Sequence, residues 1–400
     1  MAVKNKKGKN FEDVQQMNRS LVISLLRKKE VNSRAELAKA TGLKQATITN
    51  IINDLLECGL VVETGMIGGK KGRRSIGLTI SGVIYKVISV RLERKCFSVG
   101  LFDLEGTEYG ILKEDTDMMS GSQKTLDRII QSIRELMKKA ENSKIIGIGV
   151  AIPGPFFRSE GKIGLITEFP GWENVSIENI LKETFGLPTF VEHDANVGAL
   201  AEWWLGSNFI DSGTMVYLAV GQGVGAGVIN DGKAFGGAMG IAGEVGHMSI
   251  CFDGPKCGCG SRGCLEHYCS TIALLREVEQ ELAGFPDSIL KEELSLEKFF
   301  EALEAGDALA AKVFERTARY LGMGLVNIIY AYNPHVIIIG DELARAGQRL
   351  LDIVRGTVRE YVLPVIHDNL SIRLSSFKGD AVLLGAGSLV IDNIKDLLVP

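Results

Sequence analysis

The first sixty residues carry apolar positions three and four residues apart, which is the spacing of one face of a helix. This spacing predicts three helices, over residues 18–29, 34–40 and 44–58. Ser33 and Glu36 form an S-x-x-E pair that predicts the start of the second helix, and Gly42 predicts its end. Two helices joined by a short glycine turn, after a first helix, are typical of a helix-turn-helix.

Two short strand-like runs follow, Leu60–Glu63 and Ser75–Ile80, with a basic, glycine-rich segment between them. The runs predict a hairpin whose loop forms a wing, so residues 1–80 are predicted to form a winged helix-turn-helix. The third helix is then the recognition helix, which presents its first turns to base edges. Its predicted DNA contacts, together with two arginines of the wing suited to a narrow minor groove, are Lys44, Gln45, Thr47, Thr49, Asn50, Arg73 and Arg74.

From Gly82 onward, strands alternate with helices, which is typical of an α/β fold. Three strands, a helix and a buried strand lie between residues 85 and 152, and a similar succession returns between residues 215 and 339. The repeat predicts two similar lobes around a cleft. The predicted boundaries are 81–195 for the first lobe and 196–400 for the second, with the C-terminal helix returning to the first lobe.

Composition describes an ordinary globular protein, with 46% hydrophobic and 24% charged residues. The net charge of -4 would not by itself suggest a DNA-binding protein, but lysines and arginines concentrate near the N-terminal end. No apolar run approaches the roughly 20 residues of a membrane helix, and the lysine-rich start lacks the apolar core of a signal peptide. We therefore expect a cytoplasmic protein without a membrane partner.

Three of the seven cysteines, Cys257, Cys259 and Cys264, lie close together in a glycine-rich segment. In a cytoplasmic chain this spacing favours a metal site over a disulfide.

Several motifs together resemble the ROK family of repressors, open reading frames and sugar kinases, which has the actin-like sugar kinase fold. The most specific stretch is Gly243–His247 followed by Cys257–Glu266. The supporting motifs are Pro153–Pro155, Pro170–Trp172, His193–Asn196, Gly221–Gly227 and Asn333–Gly340. The resemblance extends over nearly the whole chain and implies a two-lobed actin-like α/β body behind the winged helix.

The cysteine group gains a fourth ligand from the motif that precedes it. Three thiolates and one imidazole complete a closed tetrahedral zinc site, which has no open position for catalysis. We therefore expect a structural Zn²⁺ ion bound by His247, Cys257, Cys259 and Cys264. The alternative is four unrelated buried residues in a glycine-rich loop.

The resemblance also implies a sugar site, because carboxylates and imidazoles suit a ring of hydroxyls. The implied effector-binding residues are Gly154, Asn174, His193, Asp194, Glu244, His247 and Glu266. Asp194 matches the general base of the kinases. His193 stands where the kinases usually have asparagine, which leaves the identity of the sugar open. Taken singly, each carboxylate is equally consistent with a solvated surface group.

The kinases of the family hold nucleotide phosphates with an aspartate, two glycines and a threonine at the first hairpin turn. Here that turn is Arg91-Leu92-Glu93-Arg94-Lys95, so the acid has become arginine and both glycines carry side chains. At the expected adenosine site, Asp341 replaces the second glycine of a pair. We therefore expect no kinase activity.

These expectations combine into a sugar-responsive transcriptional regulator, a repressor by the resemblance, that binds operator DNA as a homodimer or as a tetramer. Two alternatives stay open from the sequence. The first is an ATP-dependent sugar kinase with an appended DNA-binding domain. The second is a regulator controlled by another protein through the same body.

Overall fold

The computed structural model describes residues 11–27, 33–68, 74–82, 84–93, 95–116, 121–140, 143–154, 156–157, 162–163, 171–172, 175–206, 213–377 and 379–393. Two of the predicted site residues, Arg73 and Asn174, lie outside these ranges, and for Arg74 only the backbone is described. Within these ranges every helix is too short or too polar to span a bilayer.

A winged helix-turn-helix forms the N-terminal part of the described chain, as predicted. Its elements are α1 Phe11–Arg27, α2 Arg34–Thr41, α3 Gln45–Glu57, β1 Val61–Gly68 and β2 Arg74–Ile80. Ser33 caps α2 by accepting a hydrogen bond from the Glu36 amide, and its hydroxyl donates to the Glu36 carboxylate at 2.9 Å. Gly42 ends α2 in the left-handed region, at a φ of 71°.

Two boundaries in this domain differ from the sequence prediction. The first helix begins at Phe11 rather than at residue 18. The earlier start was not predicted because the first turns carry no buried apolar stripe: Val14 and Met17 are exposed. The first wing strand continues to Gly68, through glycines that were expected to belong to the loop. Those residues pair with β2 through backbone groups alone, as the Gly65–Gly77 pair does.

The first lobe is built on a five-stranded mixed sheet with the order β5-β4-β3-β6-β9. Its strands are β3 Tyr85–Leu92, β4 Cys96–Asp103, β5 Glu108–Asp115, β6 Lys144–Ile152 and β9 Thr189–His193, and a separate short hairpin consists of β7 Phe156–Phe157 and β8 Lys162–Ile163. The helices are α4 Gly121–Lys138 and α5 Ile177–Phe185. Both helices bury one apolar face, and these faces join the core beneath the sheet.

The second lobe repeats this sheet, with the order β12-β11-β10-β13-β14. Its strands are β10 Thr214–Val220, β11 Val224–Asn230, β12 Lys233–Ala234, β13 Val336–Gly340 and β14 Ser371–Leu374. Its helices are α7 Glu266–Cys269, α8 Thr271–Glu281, α9 Leu296–Glu304, α10 Ala308–Tyr332, α11 Gln348–Tyr361 and α12 Pro364–His367. Each sheet has an antiparallel meander on one side and parallel pairs on the other, which confirms the two-lobed actin-like fold.

Two helices, α6 Asp194–Trp204 and α13 Ala381–Asp392, pack against each other between the sheets. Both are buried along most of their length. Their backbones approach closely, since a Cβ on Gly385 would overlap the Val197 carbonyl. The last helix also contacts β3, β4, β6 and β9, so the end of the chain packs on the sheet of the first lobe.

The winged helix shares a core with the rest of the molecule. One apolar cluster contains Leu60 and Ile80 of the winged helix, Val87 of β3, and Val390 and Ile391 of α13. The hydroxyl of Tyr85, the first residue of β3, donates a hydrogen bond to the carbonyl of Cys58, directly after α3. The end of the recognition helix is therefore fixed to the first strand of the body.

Candidate functional site

One cavity between the two lobes gathers most of the predicted sugar-site residues. Its lining includes Gly154, His193, Asp194, Glu244, His247 and Glu266. Gly154 follows β6 and Asp194 begins α6, whereas Glu244 and Glu266 belong to the second lobe. The seventh predicted residue, Asn174, lies outside the described residues. The cavity therefore draws its polar side chains from both lobes.

Two glycines make room for the carboxylate of Glu244. A Cβ on Gly154 would lie 2.5 Å from His193 Nε2 and 2.6 Å from Glu244 Oε1, so a side chain at this position would fill the cavity. Gly243 has a φ of 104°, and a Cβ there would overlap the Ala226 carbonyl. Only glycine at position 243 allows the loop to lie directly on β11. From this loop, Glu244 faces the first lobe.

His193 and Asp194 form an ion pair at the start of α6, with 3.0 Å between His193 Nε2 and Asp194 Oδ1. Burial alone would lower the pKa of His193, but the carboxylates of Asp194 and Glu244 together outweigh burial and raise that pKa. Burial would likewise raise the pKa of Asp194, but His193 and Arg91 lower it. The aspartate is thus held as an anion, and the Ala195 amide also donates to it at 2.6 Å.

The two glutamates of the second lobe differ in their surroundings. Glu266 Oε2 accepts a hydrogen bond from the Val224 amide at 3.0 Å. Glu244 has no protein hydrogen-bond donor within the described ranges, and burial raises its pKa. Gln222, from the glycine loop between β10 and β11, also lines the cavity, and its buried Oε1 has no donor among the described residues. These two acceptors require a ligand or water for their hydrogen bonds.

Arg91, near the end of β3, forms one wall of the cavity and joins the lobes. Its Nη2 lies 2.8 Å from Asp341 Oδ2, and its Nη1 lies 2.8 Å from Asp380 Oδ1. A third carboxylate, that of Glu93, is 3.5 Å away. Burial raises the pKa of Asp341 to about 7, because one guanidinium shared among three carboxylates does not offset the loss of water.

A second and larger cavity, of about 450 Å³, lies behind this ion-pair network. Its lining includes Lys113 of β5, Glu342, Arg345 and Asp380. Arg91 and Asp341 line both cavities and so form the partition between them. The residues that the sequence analysis identified as replacements at the kinase nucleotide site are therefore paired with each other across the cleft.

The predicted metal ligands converge at the rim of the sugar cavity. One donor atom from each of His247, Cys257, Cys259 and Cys264 lies within 4.8 Å of the others. The distances from Cys257 Sγ to His247 Nδ1 and from Cys259 Sγ to Cys264 Sγ are both 3.7 Å. A tetrahedron with metal–sulfur bonds of about 2.3 Å has edges of about 3.8 Å. The donor set and its spacing therefore fit a four-coordinate metal ion.

Five of the predicted DNA-reading residues lie at the start of α3, Lys44 as its N-cap and the other four in its first two turns. Lys44, Gln45 and Asn50 are exposed, and Thr47 and Thr49 are half-buried. The Thr49 hydroxyl donates to the Gln45 carbonyl at 2.9 Å, which leaves its oxygen free to accept only. The opposite face of α3 packs in the core, so the exposed residues form one continuous surface.

Comparison with protein families identifies the body. A sequence model described as the ROK family matches residues 87–393, which is more than half of the chain. The chain belongs to the ROK family. The matched segment begins inside β3 and ends after α13, so it contains both lobes.

Individual ROK relatives differ in how much of the chain they match. A xylose repressor from Caldicellulosiruptor bescii is 31% identical over 394 residues, with 96% of this chain and 98% of the repressor aligned. A solved ROK family transcriptional regulator, described as a homologue of the E. coli MLC protein, has a TM-score of 0.80 at 29% identity and covers 96% of this chain and 98% of its own. A ROK family glucokinase from Streptomyces griseus, solved with glucose and AMPPNP, has a TM-score of 0.69 at 26% identity. It covers 76% of this chain and 98% of its own.

Sequence reasoning missed two residues that the structure brings into this ROK cleft, Gln222 and Asp380. Gln222 belongs to a glycine loop that matched the family, but the loop alone was weak evidence, so its side chain was not singled out. Asp380 is the N-cap of α13 and gave no signal, because a capping aspartate is common and its contact with Arg91 spans 289 positions of the chain.

Proposed function

We propose that this chain is a sugar-responsive transcriptional repressor, which binds operator DNA through its winged helix and a sugar in the cavity between its lobes. One observation carries the proposal: a winged helix and a ROK body share one core in a chain of which 96% aligns with a xylose repressor. The Streptomyces griseus glucokinase covers 76% of it. Lys44, Gln45, Thr47, Thr49, Asn50, Arg73 and Arg74 are the proposed DNA contacts.

The proposed sugar contacts are the carboxylates of Asp194, Glu244 and Glu266, with His193, His247 and Asn174 beside them and Gly154 providing space. A sugar in this cavity would contact both lobes at once. Because a ligand shifts a conformational equilibrium only by its differential affinity for the two states, contacts from both lobes favour the closed arrangement.

A path of packed elements connects the sugar site to the winged helix. Arg91 lines the cavity, and Tyr85, six residues earlier on β3, donates to the backbone after α3. At about 3.3 Å per residue, these two contacts are about 20 Å apart on one strand. Asp194 begins α6, which packs on α13, and α13 contributes to the core shared with the winged helix. A change in lobe closure can therefore reach the recognition helix through β3 and α13.

The chain is proposed not to act as a kinase. Phosphoryl transfer requires a cradle for nucleotide phosphates, made of backbone amides and a metal ion. In this chain the guanidinium of Arg91 lies in the cleft and is paired with Asp341 and Asp380. The second candidate function, an ATP-dependent sugar kinase, is favoured by one observation, the retention of Asp194 as an anion in the cavity.

We also propose that His247, Cys257, Cys259 and Cys264 hold a structural zinc ion. The support is the chemistry of the donor set, three thiols and one imidazole with spacing that fits a tetrahedron. Bound zinc would rigidify the loop that carries Glu244 and Glu266. His247 belongs to both the cluster and the cavity lining, so its orientation would be fixed for the sugar.

The remaining proposals concern organisation. A single recognition helix reads few bases, so a homodimer on an inverted repeat is proposed, with a tetramer as a further possibility of assembly. The proposed units are the winged helix over residues 1–80 and two lobes over 81–195 and 196–400.

The DNA-reading role is tested by changing Gln45 and Asn50 to alanine, one at a time. The probe is an inverted-repeat duplex that the purified wild-type protein selects from a random-sequence library. Loss of a bidentate base contact costs about 1 to 3 kcal/mol, so each variant should bind the duplex about 5- to 150-fold more weakly in a mobility-shift titration.

The matched control is Glu57→Gln, an exposed position at the other end of α3. It should bind within about twofold of wild type, because surface substitutions away from special contacts have small effects. Selection of no sequence, or equal affinity of all four proteins, would contradict the assignment of α3 as the recognition helix.

A further inference from the structure

The polar atoms that line the sugar cavity are mostly hydrogen-bond acceptors. The carboxylates of Asp194, Glu244 and Glu266 accept only when they are ionised. The buried Oε1 atom of Gln222 lacks a donor within the described ranges, and so does the half-buried carboxylate of Glu244. A buried acceptor without a donor is costly, so the preferred ligand is one that brings hydrogens. The hydroxyls of a sugar do this.

The charged groups that line the cavity also disfavour an anionic ligand. Five carboxylates line it: Glu93, Asp194, Glu244, Glu266 and Asp341. Among the described residues, the basic groups in the lining are one guanidinium, that of Arg91, and the imidazole of His193, which is paired with Asp194 at 3.0 Å. His247 also lines the cavity, with Nδ1 directed at the thiol of Cys257. Acidic groups therefore outnumber the cations available to an anionic ligand.

Arg91 is the residue that would be expected to bind a phosphate, and it is already occupied. Both of its terminal nitrogens lie 2.8 Å from carboxylate oxygens, those of Asp341 and Asp380, and Glu93 is 3.5 Å away. Its Nε is buried without a partner in the described part of the chain. A phosphate needs the paired donors of the guanidinium fork, and both are engaged here.

A phosphate ester would therefore meet the wrong charge and the wrong hydrogen-bonding groups. It carries about -1.5 to -2 charges at pH 7 and adds acceptor oxygens only. To bind near Arg91 it would have to displace Asp341 or Asp380 and leave a buried carboxylate unpaired, which is strongly unfavourable.

We propose that the effector of this chain is a neutral, unphosphorylated sugar, and that the Arg91–Asp341–Asp380 network excludes sugar phosphates from the cleft. This inference rests on the proposed sugar response and specifies the ligand class of that same cavity. Asp341 is then a specificity-determining residue: its carboxylate occupies the guanidinium that would otherwise attract a phosphate.

The test is a calorimetric titration of the full-length protein with six compounds. These are xylose, glucose and N-acetylglucosamine, and one phosphate ester of each: xylose 5-phosphate, glucose 6-phosphate and N-acetylglucosamine 6-phosphate. At least one free sugar should bind, and its ester should bind at least about 10-fold more weakly, the ratio that corresponds to about 1.4 kcal/mol.

Above pH 7, where Asp341 is ionised, the Asp341→Asn variant releases Arg91 from one of its carboxylates and removes one negative charge. The ratio of ester to free-sugar affinity should therefore rise several-fold. The control is Glu342→Gln, which removes the same charge from the neighbouring position, where the carboxylate accepts from Thr271 at 2.6 Å and lines only the second cavity. It should leave the ratio unchanged.

Three results would overturn the inference. Tighter binding of an ester than of its free sugar would make Arg91 a phosphate-binding residue and leave the sugar-responsive function intact. An equal response of the two variants would remove the role of Asp341. Binding of none of the six compounds would count against the sugar-responsive function itself.

Discussion

Asp341 shows how a single residue can both stabilise and limit a site. Its carboxylate pairs with Arg91 across the lobes, yet burial and the neighbouring acids raise its pKa to about 7. Between pH 3.8 and 7 the unfolded chain therefore ionises this group while the folded chain keeps the proton. The contribution of Asp341 to stability is present below about pH 4 and is lost as the pH rises towards 7.

The fall in stability with rising pH gives a prediction for Asp341→Asn, whose side-chain amide does not titrate. From pH 4.5 to 7 the free energy of unfolding of wild type should fall relative to that of the variant, by at most about 1.4 kcal/mol per pH unit, and the difference should level off above pH 7. Urea unfolding across this range measures it, with Glu342→Gln expected to follow wild type. A difference that does not depend on pH would show that Asp341 is ionised throughout.

The sequence predicted individual site residues only where a motif held them together. The Gly-Glu-Val-Gly-His stretch located Glu244 and His247 because its glycines are required by close backbone contacts that no other residue permits. The substitution at Arg91 was recognised as a loss of the phosphate turn. Its new partners were not, since they depend on how three distant segments meet, and no local pattern encodes that meeting.

Among the elements, the cysteine-rich loop combines a metal-binding pattern with a position next to the sugar cavity. The loop has little regular structure, and short backbone hydrogen bonds such as Cys257 N–H to the Ser261 carbonyl, at 2.9 Å, shape it. Loops of this kind have little apolar area to bury and depend on their metal for rigidity.

We therefore predict that purified protein contains about one zinc ion per chain and that Cys257→Ser loses it. The variant should also melt about 4 to 8 °C lower, because a loss of about 2 kcal/mol shifts the melting temperature of a 150- to 250-residue unit by about this much. The control is Cys251→Ser, a half-buried cysteine of the same loop outside the cluster. Metal analysis that finds no zinc in folded wild-type protein would contradict the assignment.

Element types were predictable where the apolar pattern was strong. The pattern is helical periodicity in α3 and a nearly continuous apolar run in the buried strands β6 and β13. Boundaries were less so. The first turns of α1 carry exposed apolar residues without a stripe, and the glycines of β1 pair through their backbones. The local sequence therefore does not reveal the start of α1, and the extent of β1 depends on its pairing with β2.

At the scale of the whole molecule, the two lobes and the winged helix form one connected body rather than separate units on a linker. The core shared by the winged helix, β3 and α13 gives the DNA-binding part direct contact with the elements that carry the sugar site. The repeat of strands and helices predicted two lobes from sequence alone. The close packing of the winged helix on them was not predictable, because its apolar residues equally suit a separate small core.

The central claim is that a sugar between the lobes changes operator affinity without being phosphorylated. The measurement is a mobility-shift titration of the selected inverted repeat, with and without the free sugar that calorimetry identifies, on wild type, Glu244→Gln and the control Glu279→Gln. Wild type and the exposed control should change operator affinity by about 5- to 150-fold when the sugar is present, and no ADP should form with ATP.

Glu244→Gln should bind the operator normally but need about 10- to 150-fold more sugar for the same change, because it loses a charged acceptor for hydroxyls. An unchanged response in this variant would place the sugar elsewhere. Formation of ADP by wild type with the sugar and ATP would contradict the account and support the kinase.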